Sequence, residues 1–76
     1  MKLFKPNIQR LAKKKNVRAL MKVLKDSGWD TSIRLAAVSA LGEMSDLQAV
    51  EALIEALKDS DSGVRQAAAA TLGQLG

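Results

Sequence analysis

The chain contains no cysteine and no histidine. Without cysteine there is no disulfide, no thiolate nucleophile and no cysteine-based zinc site. Without histidine the usual imidazole base and metal ligand are also missing. Gly-rich phosphate loops, nucleophile elbows and clustered metal-ligating side chains are absent as well. Glu51 and Glu55, four residues apart, read as a solvated surface pair rather than a tuned acid and base. These absences predict a protein that is not an enzyme, with no catalytic, cofactor-binding or metal-binding residues and no cofactor. No apolar run approaches the ~18–20 residues of a membrane-spanning helix. No long apolar stretch follows Met1-Lys2-Leu3-Phe4-Lys5-Pro6, so nothing suggests secretion. The expectation is a cytoplasmic protein without a membrane partner.

Acidic residues are absent from the first third of the chain. Residues 1–25 carry nine basic side chains and no acid, whereas residues 26–76 carry three basic and eight acidic ones. The two parts stand at +9 and −5, within a net charge of +4. Such polarity signals either a charged face or an internal charge match. At 76 residues the chain is one small domain, which buries only about 60% of its unfolded surface. Its stability therefore depends on good packing or on association.

What the chain does contain is a repeat. Val17 to Ser27 recurs as Val50 to Ser60, with seven of eleven positions identical at an offset of 33. Asp30 to Met44 recurs as Asp61 to Leu75 at an offset of 31, matching at Asp, Arg, Ala-Ala and Leu-Gly. A period in the range of about 30–45 residues built from two helices is the mark of a solenoid. Solenoids present extended surfaces rather than enclosed catalytic pockets.

The helices follow from apolar spacing and caps. Ile8, Leu11 and Ala12 form a short stripe behind Pro6 and a capping Asn7. Asn16 ends that helix or caps the next, whose buried face is Val17, Leu20, Met21 and Leu24. Asp26-Ser27-Gly28 breaks it. Asp30, Thr31 or Ser32 opens a third helix, which buries Ile33, Ala36, Ala37, Ala40, Leu41 and Met44. Ser45 and Gln48 have capping-box spacing, with Asp46 a competing cap. The fourth helix is predicted to bury Val50, Leu53, Ile54 and Leu57. Asp61 or Ser62 opens the fifth, burying Val64, Ala67, Ala68, Thr71, Leu72 and Leu75. Strands are not expected, because no sustained two-residue alternation occurs. Gly42 and Gly73 lie near the ends of the Ala-rich third and fifth helices. Glycine there costs about 1 kcal/mol in propensity, and close packing against a neighbouring helix is the expected compensation.

With these residues in place, the chain resembles the HEAT-repeat class, specifically the short repeat of the phycobilisome-lyase type. Its signature runs Asp-x-x-Val-Arg-x-x-Ala-Ala-x-x-Leu-Gly, a turn, then Ala-Val-x-x-Leu-Ile-x-x-Leu-x-Asp. Here it is met at Asp30 to Gly42, continued by Ala49-Val50, Leu53-Ile54, Leu57 and Asp59, and begun again at Asp61 to Gly73. Lys5-Pro6-Asn7 to Asp26 resembles an N-terminal cap with a first inner helix. Two departures stand out: the first loop is two residues longer, around Gly28-Trp29, and Ser45 replaces a helix-ending glycine. The resemblance implies an all-α fold, a right-handed α-α superhelix of about five helices. Residues 1–28 would be the cap helix and first inner helix, 29–60 a complete repeat, and 61–76 the outer helix of an incomplete one. It implies Ala-rich helices outside and Leu- and Ile-rich helices on the concave side. Phycobilin lyase activity is not carried over, since fold does not imply function.

The resemblance makes the chain a scaffold module that binds a protein partner through its concave strip: Arg18, Lys22, Lys25, Gln48, Glu51, Glu55 and Lys58. In a solenoid, equivalent positions on adjacent inner helices are neighbours, so Arg18–Glu51 and Lys22–Glu55 are expected as pairs across repeats. Trp29 either packs over its loop or contacts the partner. Arg34 and Arg65 stand at unfavourable dipole positions for cations. They are expected to form a repeat ladder with loop aspartates (Asp26, Asp30, Asp46, Asp59, Asp61) or to contact a ligand. Arg10, Lys13, Lys14 and Lys15 form a possible polyanion patch, read as a solvated cap face or as a weak nucleic-acid site lacking aromatic stacking residues. The last helix, reached without an inner partner, suggests a fragment of a longer array or a homo-oligomer pairing through residues 64–75.

Overall fold

A computed structural model describes residues 4–44 and 46–76, and the capping role weighed for Ser45 lies outside them. The described residues form five α-helices and no strand: α1 (Ile8–Lys13), α2 (Val17–Lys25), α3 (Thr31–Gly42), α4 (Leu47–Ala56) and α5 (Ser62–Leu75). None of them is long and apolar enough to cross a membrane.

Each helix begins on a short polar side chain that accepts from a backbone N–H left unpaired in the first turn. Asn7 Oδ1 accepts from Arg10 N at 3.0 Å, and Asn16 Oδ1 from Ala19 N at 3.1 Å. Asp30 Oδ1 accepts from Ile33 N at 3.2 Å, and Asp46 Oδ1 from Gln48 N at 2.7 Å. Asp61 Oδ1 takes both Gly63 N at 2.7 Å and Val64 N at 3.3 Å. Between α1 and α2 the chain reverses at Lys15, which has φ 53°. There the Asn16 N–H reaches back to the Leu11 carbonyl and the Lys15 N–H to Ala12. This is the Schellman closure, usually given to glycine.

The helices stack in two layers. α2 pairs with α3 and α4 with α5; α2 stacks on α4, α3 on α5, and α1 covers the open side of α2 and α3. The thinnest dimension is 15 Å, room for two helix layers with axes about 8–10 Å apart. The core lies between the layers, with Leu20, Leu41, Leu53, Val38 and Val64 as its largest fully buried side chains.

Expectations about this core are corrected on each of α2 to α5. On α2, Val23 is buried and Met21 only half-buried; on α3, Ala36 is exposed while Val38 and Arg34 are buried. On α4 the buried face is Ala49, Ala52, Leu53 and Ala56, leaving Ile54 at 48% and Leu57 at 39% exposure. Small residues let α4 sit closely against its neighbours. Leu53 alone of its large side chains is fully buried, and Ile54 and Leu57 are left partly in solvent. On α5, Val64 and Ala68 are buried, and Ala67, Thr71, Leu72 and Leu75 half-buried.

The glycines also separate. A Cβ built on Gly42 would overlap Thr71 Cγ2 on α5, whereas nothing lies within 4 Å of one built on Gly73. Close packing thus accounts for the first glycine and not, among the described residues, for the second.

Candidate interaction surface

The exposed flanks of α2 and α4 run side by side because equivalent helices of the two repeats stack. Their charges are opposite. Arg18, Lys22 and Lys25 edge a groove from α2, and Gln48, Glu51 and Glu55 from α4, with Val17 and Met21 also lining it. The groove encloses about 580 Å³ and is open to solvent. A second depression of about 330 Å³ shares Met21, Lys25 and Glu55 and continues past Ala52 and Ala56 to Lys58. The concave residues expected from sequence are therefore gathered along one surface, apart from Trp29. That side chain is half-buried and packs against the core.

The cross-repeat ion pair differs from expectation. Glu55 is met by Lys25, at 3.2 Å, rather than by Lys22. Both partners are more than half exposed, so the pair contributes at most about 1 kcal/mol and weakens in salt. This choice shifts the pairing by three residues along α2, and Arg18, Lys22, Gln48 and Glu51 also line the groove.

The internal ladder is carried by other atoms. Arg34 is buried, with 5% of its surface exposed. Its Nε and Nη2 donate to the Leu24 carbonyl at 2.9 and 2.7 Å, and Nη2 also pairs with Asp59. One guanidinium thus ties the end of α2 to the end of α4. Asp59 is the acid of this ladder, not Asp30 or Asp61. Those two cap helices, and Asp61 Oδ2 also accepts from Thr31 Oγ1 at 2.7 Å, joining the starts of α3 and α5. The Ser32 hydroxyl, then the Ile33 N–H, hold the Asp30 carboxyl below its ordinary value. For Asp61 the Thr31 hydroxyl does most, followed by the Val64 and Gly63 N–H groups. Arg65, equivalent to Arg34, is exposed and donates to backbone carbonyls of Asp59 and Ser60 at 2.7 and 3.1 Å.

The basic run of the cap is spread around its short helix. Arg10, Lys13, Lys14 and Lys15 are all exposed, and Lys13 and Lys15 share a depression with Glu43. Among the described residues, no group of His, Cys, Asp or Glu side chains is placed to hold a metal ion. Sequence reasoning assigned Met21 to the core and so missed it as a groove residue; its i+4 spacing from Val17 gave no sign that only part of it would be covered.

No curated protein matches the chain. The family profile of HEAT repeats matches residues 17–76, which hold α2 to α5 and the ladder between them. HEAT repeats commonly mediate protein–protein interaction and are generally scaffolds without catalytic activity. The repeated helix pairs, the buried arginine bridging them and the profile match agree: the chain belongs to the HEAT-repeat family, with an all-α, HEAT-like fold.

Proposed function

We propose that the chain is a non-catalytic interaction module that grips a protein segment in the groove between α2 and α4. The observation carrying this reading is the opposition of a basic and an acidic edge above Val17 and Met21. Charge on both edges orients a ligand: its acidic side lies along α2 and its basic side along α4. The half-buried Met21 adapts to apolar side chains entering between the edges. An amphipathic helix or an extended strand with oppositely charged flanks satisfies both conditions. Within the family, the spacing of Asp30, Arg34, Ala36-Ala37 and Leu41-Gly42 favours the phycobilisome-lyase-type short repeat.

The reading is tested by charge reversal at exposed positions. Glu51→Lys with Glu55→Lys should abolish capture of a protein partner while the far-ultraviolet helical signal persists. Lys13→Glu with Lys14→Glu, on the cap, should leave capture unchanged. Binding that survives the first pair and fails with the second, with a steep decline in salt, would instead assign the partner to the cap and favour a polyanion.

A further inference from the structure

We infer that the depression at the Lys58 end of the groove binds a carboxylate, carried on an acidic side chain of the segment that the groove holds. The inference rests on the groove reading for the source of the ligand, and on Arg34 for its chemistry. Arg34 spends Nε and Nη2 on the Leu24 carbonyl and on Asp59. Its remaining nitrogen, Nη1, makes no hydrogen bond. Among the described residues, no buried side-chain nitrogen or oxygen lacks a partner, so Nη1 is not sealed inside the fold. The Arg34 side chain is only 6% exposed, and it lines the depression. That is where its free nitrogen meets solvent. A guanidinium is a planar fork of donors. Here the fold anchors two prongs and leaves the third open. Because the fork is already fixed, a ligand that accepts from it orders little that was mobile.

The surrounding groups decide the charge and size of that ligand. Glu55 is matched by Lys25 at 3.2 Å. Asp59 is matched by Arg34, and its other oxygen accepts from Asp61 N at 2.9 Å. Lys58 is exposed and pairs with no acid. Three cations against two acids leave one positive charge, which suits a carboxylate better than a doubly charged phosphate. The Ser27 and Ser60 hydroxyls add donors at the rim. The floor is apolar, formed by Met21, Ala52 and Ala56, and suits the methylene stem of a glutamate. At about 330 Å³ the space lies at the small end of ligand sites and admits one side chain. The depression shares Met21, Lys25 and Glu55 with the groove, so a segment lying in the groove reaches it. Capture of a chain terminus uses clustered backbone N–H groups, whereas the donors here are side chains.

The probe is the α-amide of N-acetylglutamate, with the matching glutamine compound as its neutral twin, added to the isotope-labelled full chain at fixed ionic strength. The acid should shift the Arg34 guanidinium resonances and the Ser27 and Ser60 backbone amides, and the shifts should saturate. The neutral twin should leave them in place. Lys58→Gln should weaken binding about fivefold, the loss of one partly exposed charge pair. Lys14→Gln removes the same charge from the cap and should change nothing. A response equal for acid and twin, one without saturation, or one that Lys58→Gln leaves unaltered overturns the inference. N-acetylleucine binding as tightly would assign the site to a chain terminus, and acetate binding as tightly to a free anion; either overturns the side-chain assignment. The probe reports on the depression alone. A saturable response supports the carboxylate site even where partner capture survives Glu51→Lys with Glu55→Lys and the groove reading falls. No response, with capture abolished by those substitutions, overturns the site and leaves the groove reading intact.

Discussion

Gly42 and Gly73 hold the same position in successive repeats and stand in different surroundings. A Cβ on Gly42 would overlap the Cγ2 of Thr71 on α5; one on Gly73 would meet open space. Overpacking at the first site costs about 1–3 kcal/mol, against about 1 kcal/mol regained in helix propensity. Gly42→Ala should therefore lower stability by about 1 kcal/mol, visible as a loss of roughly 4–8 °C in the thermal midpoint. Thr71→Ser should remove the clash and reverse the sign of the alanine substitution. Gly73→Ala should raise the midpoint instead. Equal effects at the two glycines would contradict the packing account. The sequence marks both glycines alike, because a repeat signature records a position and not which neighbour is present to pack on it.

At the scale of the helix, the starts were legible and the inward faces only in part: Val17, Leu20, Leu24, Ala37, Leu41, Leu53, Val64 and Ala68 are buried as expected, and Ala36, Ile54 and Leu57 are not. Asn7, Asn16, Asp30, Asp46 and Asp61 each stand just before an apolar period, and each caps a helix. Capping is local, so sequence spacing narrows each start to two or three neighbouring side chains, and the structure selects among them. The face that a helix buries depends on neighbours. α4 packs through alanines and leaves Ile54 and Leu57 partly in solvent, a pattern that hydrophobicity alone reverses. Arg34 shows the same limit. Its place suggested a ladder, but the choice of Asp59 among five loop aspartates is fixed by how far α4 stacks along α2. With side-chain exposures of 6% and 10%, this pair is buried, and removing one partner strands a charge. Asp59→Ala should cost about 3 kcal/mol, a large share of the roughly 4–11 kcal/mol available to a chain of this length. Urea unfolding should show a lower midpoint with an unchanged slope. A loss below about 1 kcal/mol would mean that the bridge acts as a surface pair.

For the whole molecule, two carboxylates contribute to stability on the acid side. Asp30 and Asp61 have lowered values in the fold because hydroxyl and amide donors favour their charged forms. Their contribution is complete above the ordinary carboxylate value of about 4 and is lost as pH falls through the lowered folded values. The thermal midpoint should change little between about pH 7 and 5 and decline below about pH 4. Asp30→Asn with Asp61→Asn should flatten that acid decline. An unaltered decline would place the sensitive groups elsewhere.

The candidate site was partly legible at this scale. The repeat offset placed α2 beside α4, so the opposed edges of Arg18, Lys22, Lys25, Glu51 and Glu55 could be read from the chain. The pairing of Glu55 with Lys25 could not, because it depends on the stagger between the helices. The account rests on that groove as the surface that meets a partner. Its most direct test is the map of backbone amide shifts on adding a captured partner to isotope-labelled chain. The account predicts changes concentrated at Arg18, Met21, Lys22, Lys25, Gln48, Glu51 and Glu55. Changes confined to Arg10, Lys13, Lys14 and Lys15, with the groove silent, would contradict it.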